Sequence, residues 1–184
     1  MLRVFFGGDR PKVSMAVLDR GPVEAAPLRG VVLAPHGHGN AMYRQLGEEE
    51  VMDAVAWALA RFPQLDPERI YITGFSMGGI GAAAIPFHHP DFFAAAEPLC
   101  GYHSMFVRRD VLGKRLRPWE RFLLEDRSNV FWAENGARLP LHIVGGLQDL
   151  PVENSSVLVD RYEELRSKRG SGFLLDHEEP DLGH

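Results

Sequence analysis

The chain has 184 residues, of which 45% are hydrophobic, so it can bury one substantial core and is too short to favour two domains. Its formal net charge of −5 argues against a nucleic-acid partner, and its single cysteine, Cys100, excludes an internal disulfide framework. No apolar run approaches the roughly 18 residues that a membrane span needs, so we expect no membrane partner. We predict one soluble domain, residues 1–184. The cytoplasm is the favoured compartment, although the sequence leaves the native compartment and the oligomeric state open.

Apolar runs of strand length alternate with segments of helical period along the chain. The apolar residues Val51, Val55 and Ala58 share one face of a predicted helix, and Pro63 ends it. This alternation predicts an α/β fold with a mainly parallel central sheet and helices on both faces. Strands are predicted near residues 2–6, 31–34, 70–74, 93–97, 141–145 and 173–176, and helices over 48–62 and about 152–168. Residues 102–138 are rich in charge and are predicted to form a cap or helical insertion.

Ser76 lies in the segment Gly74-Phe75-Ser76-Met77-Gly78-Gly79, which directly follows the β-branched and aromatic run 70–73. A serine at such a strand-to-helix turn adopts a strained backbone that lifts its hydroxyl clear of the sheet, and flanking glycines keep Cβ atoms out of the turn. The N–H of Met77, at the start of the next helix, then faces the oxyanion formed in acyl transfer. The pattern predicts a nucleophile elbow with Ser76 as the nucleophile. A simple glycine-rich turn is the structural alternative.

A candidate acid and a candidate base follow Ser76 in the chain order of a Ser-Asp-His triad. Asp149 lies in the loop after the predicted strand 141–145, where its carboxylate can orient an imidazole. A helix cap is the alternative role for this aspartate. Two histidines lie beyond it, His177 and His184. We favour His184 because it lies in a loop after the last predicted strand, whereas His177 lies at the end of that strand.

These segments resemble a known family. Residues 70–98, with GFSMGG, and residues 139–184, with VGGLQD, PVENS and DLGH, are similar to the α/β-hydrolase superfamily. The most similar branch holds the prolyl-oligopeptidase-like and polyhydroxybutyrate-depolymerase-like esterases. The resemblance implies the same roles: Ser76 as nucleophile, Asp149 as acid and His184 as base.

The second donor of the oxyanion hole has two candidate positions. The string His36-Gly37-His38-Gly39 follows a predicted strand and has the residue types that serve this role in many such hydrolases. However, only one helix fits between Gly37 and the strand at Ile70, whereas the family's fold places a helix, a strand and another helix there. The preceding strand 2–6 satisfies this spacing, so we predict that the N–H of Gly8 acts with that of Met77.

The predicted chemistry needs no cofactor and no metal. His36 and His38 form an H-x-H pair of the kind that sometimes binds zinc, but a glycine-rich turn beside the active site is the favoured interpretation. His88 and His89 precede Pro90 and are interpreted as a helix end, where the helix dipole favours a cation.

The sequence therefore predicts a serine hydrolase that cleaves a carboxylic ester through an acyl-enzyme, with a small-molecule ester or a peptide as substrate. A peptidase of the prolyl-oligopeptidase type is the enzymatic alternative. The resemblance also implies that this chain lacks the early edge strands and the final helix of the fold. Because His184 is the last residue, an inactive fragment or binding module is the non-enzymatic alternative.

Overall fold

The computed structural model describes residues 2–6, 16–17, 30–148 and 153–181. Strands and helices alternate along most of this length, with a helical segment between the fifth and sixth strands. The strands are β1 (Leu2–Phe6), β2 (Ala16–Val17), β3 (Val31–Leu33), β4 (Ile70–Phe75), β5 (Ala95–Leu99), β6 (Leu141–Val144) and β7 (Leu175–Glu178). The α-helices are α1 (Leu46–Arg61), α2 (Met77–His88), α3 (Pro118–Asp126), α4 (Asn129–Trp132) and α5 (Glu153–Arg169), and short 3₁₀ segments span Met105–Val107 and Ala133–Arg138.

The strands form one seven-stranded sheet in the order β2-β3-β1-β4-β5-β6-β7. Every neighbouring pair is parallel except β2 with β3, which is antiparallel at one edge. Because parallel strands end at the same edge of a sheet, the loops that follow β1, β4, β5, β6 and β7 emerge together. This edge is where a site built from those loops must lie.

Alternate residues of the strands build one core with the helices. Ile70 and Ile72 of β4 are 0% and 1% exposed and share a cluster with Val51 of α1, Phe87 of α2 and Tyr162 of α5. The opposite face of the sheet carries half-buried side chains, and there the hydroxyl of Thr73 donates to the carboxylate of Glu97 at 2.8 Å. Burial of the first face is the main stabilising term of the fold.

The α/β class and the mainly parallel sheet are confirmed, and six predicted strands have counterparts in the structure. Two strands lie two residues later than predicted: Ala95–Leu99 rather than 93–97, and Leu175–Glu178 rather than 173–176. The edge strand Ala16–Val17 was not predicted. In the described residues, no helix is both long enough and apolar enough to cross a membrane.

Residues 102–138 contain the helices expected of an insertion. Helix α4 and the 3₁₀ segment Ala133–Arg138 pack on α2, and Tyr162 of α5 donates to the carbonyl of Gly136 at 3.2 Å. The segment is therefore tied into the core through its second half. Its role as a cap over the site stays a prediction.

Two phenylalanines that differ in burial are expected to differ in their contribution to the free energy of unfolding. Phe87 is fully buried and stacks on Tyr162 with 6.0 Å between ring centroids, whereas Phe122 is 67% exposed on α3. We expect Phe87→Ala to lower the free energy of unfolding by about 3–5 kcal/mol because it leaves a cavity. The matched variant Phe122→Ala is expected to change it by less than about 0.5 kcal/mol. Urea denaturation of both variants measures the difference, and equal costs would contradict the assigned core.

Candidate active site

Ser76 lies between the last residue of β4 and the first residue of α2. Its backbone has φ 57° and ψ −114°, in a region that L-residues with a side chain rarely adopt. A conformation of this kind costs of order 1–3 kcal/mol and persists only where the surroundings enforce it. The predicted strand-turn-helix context of the elbow is therefore present, with Ser76 half-buried at its tip.

Contacts on both sides of the turn hold Ser76 in place. Its N–H donates to the carbonyl of Leu99 at 2.9 Å, and its own carbonyl accepts from the N–H of Ile80 at 3.1 Å. Gly79 makes this approach possible, since a Cβ there would lie 2.4 Å from the Leu99 oxygen. The close approach of α2 to the end of β5 therefore requires a glycine at position 79.

A row of backbone hydrogen bonds connects the carboxyl ends of four strands. It begins with the Ser76 bond to Leu99 and continues with Cys100 N–H to Val144 O, at 2.8 Å. It continues with Gly145 N–H to Glu178 O, at 3.0 Å, and Leu147 N–H to Pro180 O, at 3.0 Å. The loops after β6 and β7 are therefore paired with one another beside the end of β5. Cys100, which directly follows β5, is 7% exposed.

Of the predicted site residues, the structure describes Ser76 and Met77. Met77 is the first residue of α2, so its N–H belongs to the helix N-terminal groups that have no intrahelical partner. Asp149, His184 and Gly8 lie outside the described residues. The described residues reach Gln148, directly before Asp149, and Asp181, three residues before His184. The side-chain amide of Gln148 donates to the carboxylate of Asp181 at 2.8 Å.

The position of β1 bears on the second oxyanion donor. This strand pairs directly with β4, with Phe6 opposite Gly74, whereas β3, which precedes Gly37, is one strand further from the elbow. Gly8 is two residues beyond Phe6, and Ser76 is two residues beyond Gly74. The sheet order therefore agrees with the spacing argument that favoured Gly8 over Gly37.

The turn that contains His36 and His38 is closed by Glu50 of α1. The Glu50 carboxylate accepts the N–H groups of His36, at 3.3 Å, and His38, at 3.0 Å, while Nδ1 of His36 accepts from Gly39 N–H at 3.1 Å. Among residues 30–148 and 153–181, no group of three or more His, Cys, Asp and Glu side chains is arranged to hold a metal ion. The favoured interpretation as a structural turn agrees with these contacts.

His88 and His89 lie at the end of α2, as predicted, and both contact Glu48 in the first turn of α1. Nδ1 of His88 is 2.8 Å and Nε2 of His89 is 2.9 Å from the Glu48 carboxylate oxygens. Burial alone favours the neutral carboxyl, but the hydrogen bonds and charge of the two imidazoles lower the pKa of Glu48 overall. This contact ties α1 to the far end of the elbow helix.

A cavity of about 650 Å³ lies on the elbow side of α2. Ile80, whose N–H binds the Ser76 carbonyl, lines it together with Met42, Tyr102 and Met105. Arg108, Arg109 and Asp110 complete the lining. A cavity with both apolar and charged lining, one helical turn from the candidate nucleophile Ser76, has the general character of a substrate pocket.

His103 belongs to a buried polar network that no sequence motif predicts. It is 0% exposed, and its Nδ1 is 3.0 Å from the side-chain amide nitrogen of Asn129, which also donates to the Ile80 carbonyl at 3.0 Å. Arg44 approaches the amide oxygen of Asn129 at 3.4 Å. Burial, and then the charge of Arg44, lower the pKa of His103 to about 3. No local motif marks this network, because its members are far apart in sequence.

Comparison with known proteins identifies the family. Residues 26–184 match the model of the prolyl oligopeptidase family. The chain belongs to this family. Membership confirms the resemblance that residues 70–98 and 139–184 carry, and it supports a serine hydrolase activity. A comparison with curated proteins found no match.

Solved structures share the fold. The serine hydrolase FphF of Staphylococcus aureus, described as fluorophosphonate-binding, has 15% identity and a TM-score of 0.64, with 100% of this chain and 76% of that chain covered. The acylaminoacyl peptidase of Pyrococcus horikoshii has 19% identity and a TM-score of 0.70, with 99% and 32% covered. A thermostable esterase has 22% identity and a TM-score of 0.66, with 97% and 45% covered. This chain thus spans less than half the length of the last two.

The lowered pKa of His103 predicts a pH dependence of stability. Its ordinary value is 6.5, so between about pH 3 and 6.5 the unfolded chain binds one more proton than the folded protein. The stability present above pH 6.5 is therefore lost as the pH falls toward 3, at up to about 1.4 kcal/mol per pH unit. We expect His103→Leu to remove this contribution to the slope, as measured by urea denaturation within that interval.

The matched control for this measurement is Met105→Leu, which changes a buried neighbouring side chain without a titratable group. It is expected to keep the slope of the unaltered protein. An unchanged slope in His103→Leu would show that this histidine is not held neutral in the folded state.

Proposed function

We propose that this protein is a serine hydrolase that cleaves carboxylic esters through an acyl-enzyme, with Ser76 as nucleophile, Asp149 as acid and His184 as base. The observation that carries the proposal is the row of hydrogen bonds at the carboxyl edge of the sheet. It pairs the residues that precede Asp149 with those that precede His184, beside the strand end that holds Ser76. The strained backbone of Ser76 supports the same assignment.

In the proposed reaction, the Ser76 hydroxyl attacks the ester carbonyl while His184 accepts its proton. Asp149 keeps the imidazole in the required tautomer and stabilises the imidazolium. The N–H groups of Met77 and Gly8 bind the oxyanion of the tetrahedral intermediate. His184 then protonates the leaving alcohol, and water, activated by the same histidine, releases the acid. This sequence of steps needs no cofactor.

The cavity beside α2 is the proposed site for the acyl portion of the substrate. Met42, Ile80 and Met105 supply apolar surface, and Ile80 is one turn from Ser76. A small-molecule ester fits a cavity of about 650 Å³. Peptide-bond cleavage is the second candidate, since the chain belongs to the prolyl oligopeptidase family.

Paired assays separate the two candidates. We expect turnover of nitrophenyl acetate and butyrate and little turnover of peptide nitroanilides. Ser76→Ala should lower kcat for the ester by on the order of 10⁴-fold or more, because it removes the hydroxyl that forms the acyl-enzyme. Asp149→Asn and His184→Gln should cause large losses of kcat.

The control variant is His177→Gln, which alters an exposed histidine of β7 and should keep the activity of the unaltered enzyme. Loss of activity in His177→Gln with retention in His184→Gln would reassign the base. Preferential cleavage of the nitroanilides would favour the peptidase. A folded protein that turns over neither substrate would favour the binding-module alternative.

The oxyanion assignment has its own test. Gly8→Pro removes the proposed N–H donor, and we expect kcat to fall by about 10²–10³-fold with little change in KM. Gly8→Ala keeps the N–H and is the matched control, which should retain most of the activity. Thermal unfolding checks that both variants fold. An unchanged kcat in a folded Gly8→Pro variant would exclude this donor.

A further inference from the structure

Helix α3 exposes large apolar side chains to solvent. None of its residues is buried, and its most exposed side chains include Trp119 at 55%, Phe122 at 67% and Leu123 at 45%. These three residues are spaced so that they share one face of the helix. The carboxylates of Glu120 and Glu125 are more covered, at 30% and 31% of their side-chain surface. Apolar residues therefore face outward where a surface helix normally presents charge.

Two further aromatic side chains lie on the segments that α3 packs against. Phe131 of α4 is 49% exposed, and its ring lies 5.8 Å from the ring of Phe106. The guanidinium of Arg121, which lies on a different face of α3 from Trp119 and Leu123, is 5.9 Å from the centre of the Phe106 ring. We call Phe106, Trp119, Phe122, Leu123 and Phe131, with the basic residues around them, the aromatic surface.

The charge around the aromatic surface is positive, although the whole chain carries −5. Residues 106–131 contain seven basic and four acidic residues, a net charge of +3. Three of these acids are paired: Asp110 with Arg108 at 2.8 Å, Glu120 with Arg117 at 2.7 Å and Glu125 with Arg121 at 2.7 Å. In the part of the chain that the structure describes, four basic residues of this stretch form no salt bridge: Arg109, Lys114, Arg115 and Arg127.

We propose that the aromatic surface docks on an anionic phospholipid bilayer. Trp and Phe side chains favour the boundary between headgroups and acyl chains, and Lys and Arg are attracted to anionic headgroups. Exposed rings and cations occur together here, as in Trp119, whose ring lies 4.5 Å from the Arg117 guanidinium. Docking of this kind is peripheral and needs no spanning helix, so it departs from the expectation of no membrane partner, which rested on the absence of a spanning segment.

The aromatic surface adjoins the cavity beside the elbow. Arg108 and Arg109 line that cavity, and they begin the basic stretch that leads into α3. Docking through α3 would therefore bring the cavity close to the lipid. The binding inference stands on the exposure and charge of residues 106–131, and it holds whether or not Ser76 is a nucleophile.

Vesicle co-sedimentation tests the proposal. We expect the protein to bind vesicles of equimolar phosphatidylcholine and phosphatidylglycerol, to bind pure phosphatidylcholine weakly, and to lose binding as salt is raised. The double variant Trp119→Ser/Phe122→Ser should reduce binding to the mixed vesicles by about tenfold or more. Trp57→Ser is the matched control, since Trp57 is 51% exposed on α1, and it should bind like the unaltered protein.

A spectroscopic measurement gives an independent readout in a variant that keeps the surface intact. The chain has three tryptophans, so Trp57→Phe/Trp132→Phe leaves Trp119 alone. Its emission should shift to the blue on addition of the mixed vesicles, and the absence of a shift would overturn the proposal. Vesicle binding that the double variant leaves unchanged would also overturn it. The proposal would also be overturned if the protein bound no vesicles but formed a dimer without lipid that Phe122→Ser dissociates. A second copy of the chain would then occupy the aromatic surface.

Discussion

The strained backbone of Ser76 is the constraint on which the site depends. It persists because its N–H is bonded to the Leu99 carbonyl and because Gly79 lets α2 approach the end of β5. The same strand end then begins a series of hydrogen bonds that fixes the loops after β6 and β7. A distortion at the elbow is thus coupled to the positions of the segments that lead to Asp149 and His184.

Buried contacts of Tyr43 and Asn129 also hold α2, the helix that follows the elbow. Tyr43 is 3% exposed, and a Cβ added at Gly81 would lie 2.6 Å from its side chain. Its hydroxyl donates to the Pro35 carbonyl at 3.3 Å, while burial, with a smaller effect of Glu50, raises its pKa to about 12. The side-chain amide of Asn129, on α4, donates to the carbonyl of Ile80, which belongs to α2 as Gly81 does. The helix that begins at the candidate nucleophile is therefore held by buried polar contacts as well as by apolar packing.

Much of this arrangement was predictable from local sequence, and the exceptions have physical causes. The elbow, α1 and the strand 70–75 carry strong local signals: small residues at a turn, helical apolar spacing and a β-branched run. Strand β5 was placed too early because Pro98 normally argues against a central strand, yet it pairs here with Gly74. The contact between His103 and Asn129 joins residues 26 positions apart and depends on tertiary packing. The sheet places β1 beside β4, and the assignment of the second oxyanion donor to Gly8 stays a prediction.

The central claim is that Ser76 is an activated nucleophile in this chain. Treatment with a fluorophosphonate, followed by intact mass measurement and peptide mapping, tests it without any assumption about the substrate. The account predicts one adduct per chain, on Ser76, that forms slowly or not at all in His184→Gln. An absent adduct in the folded protein, or an adduct on a different serine, would contradict it.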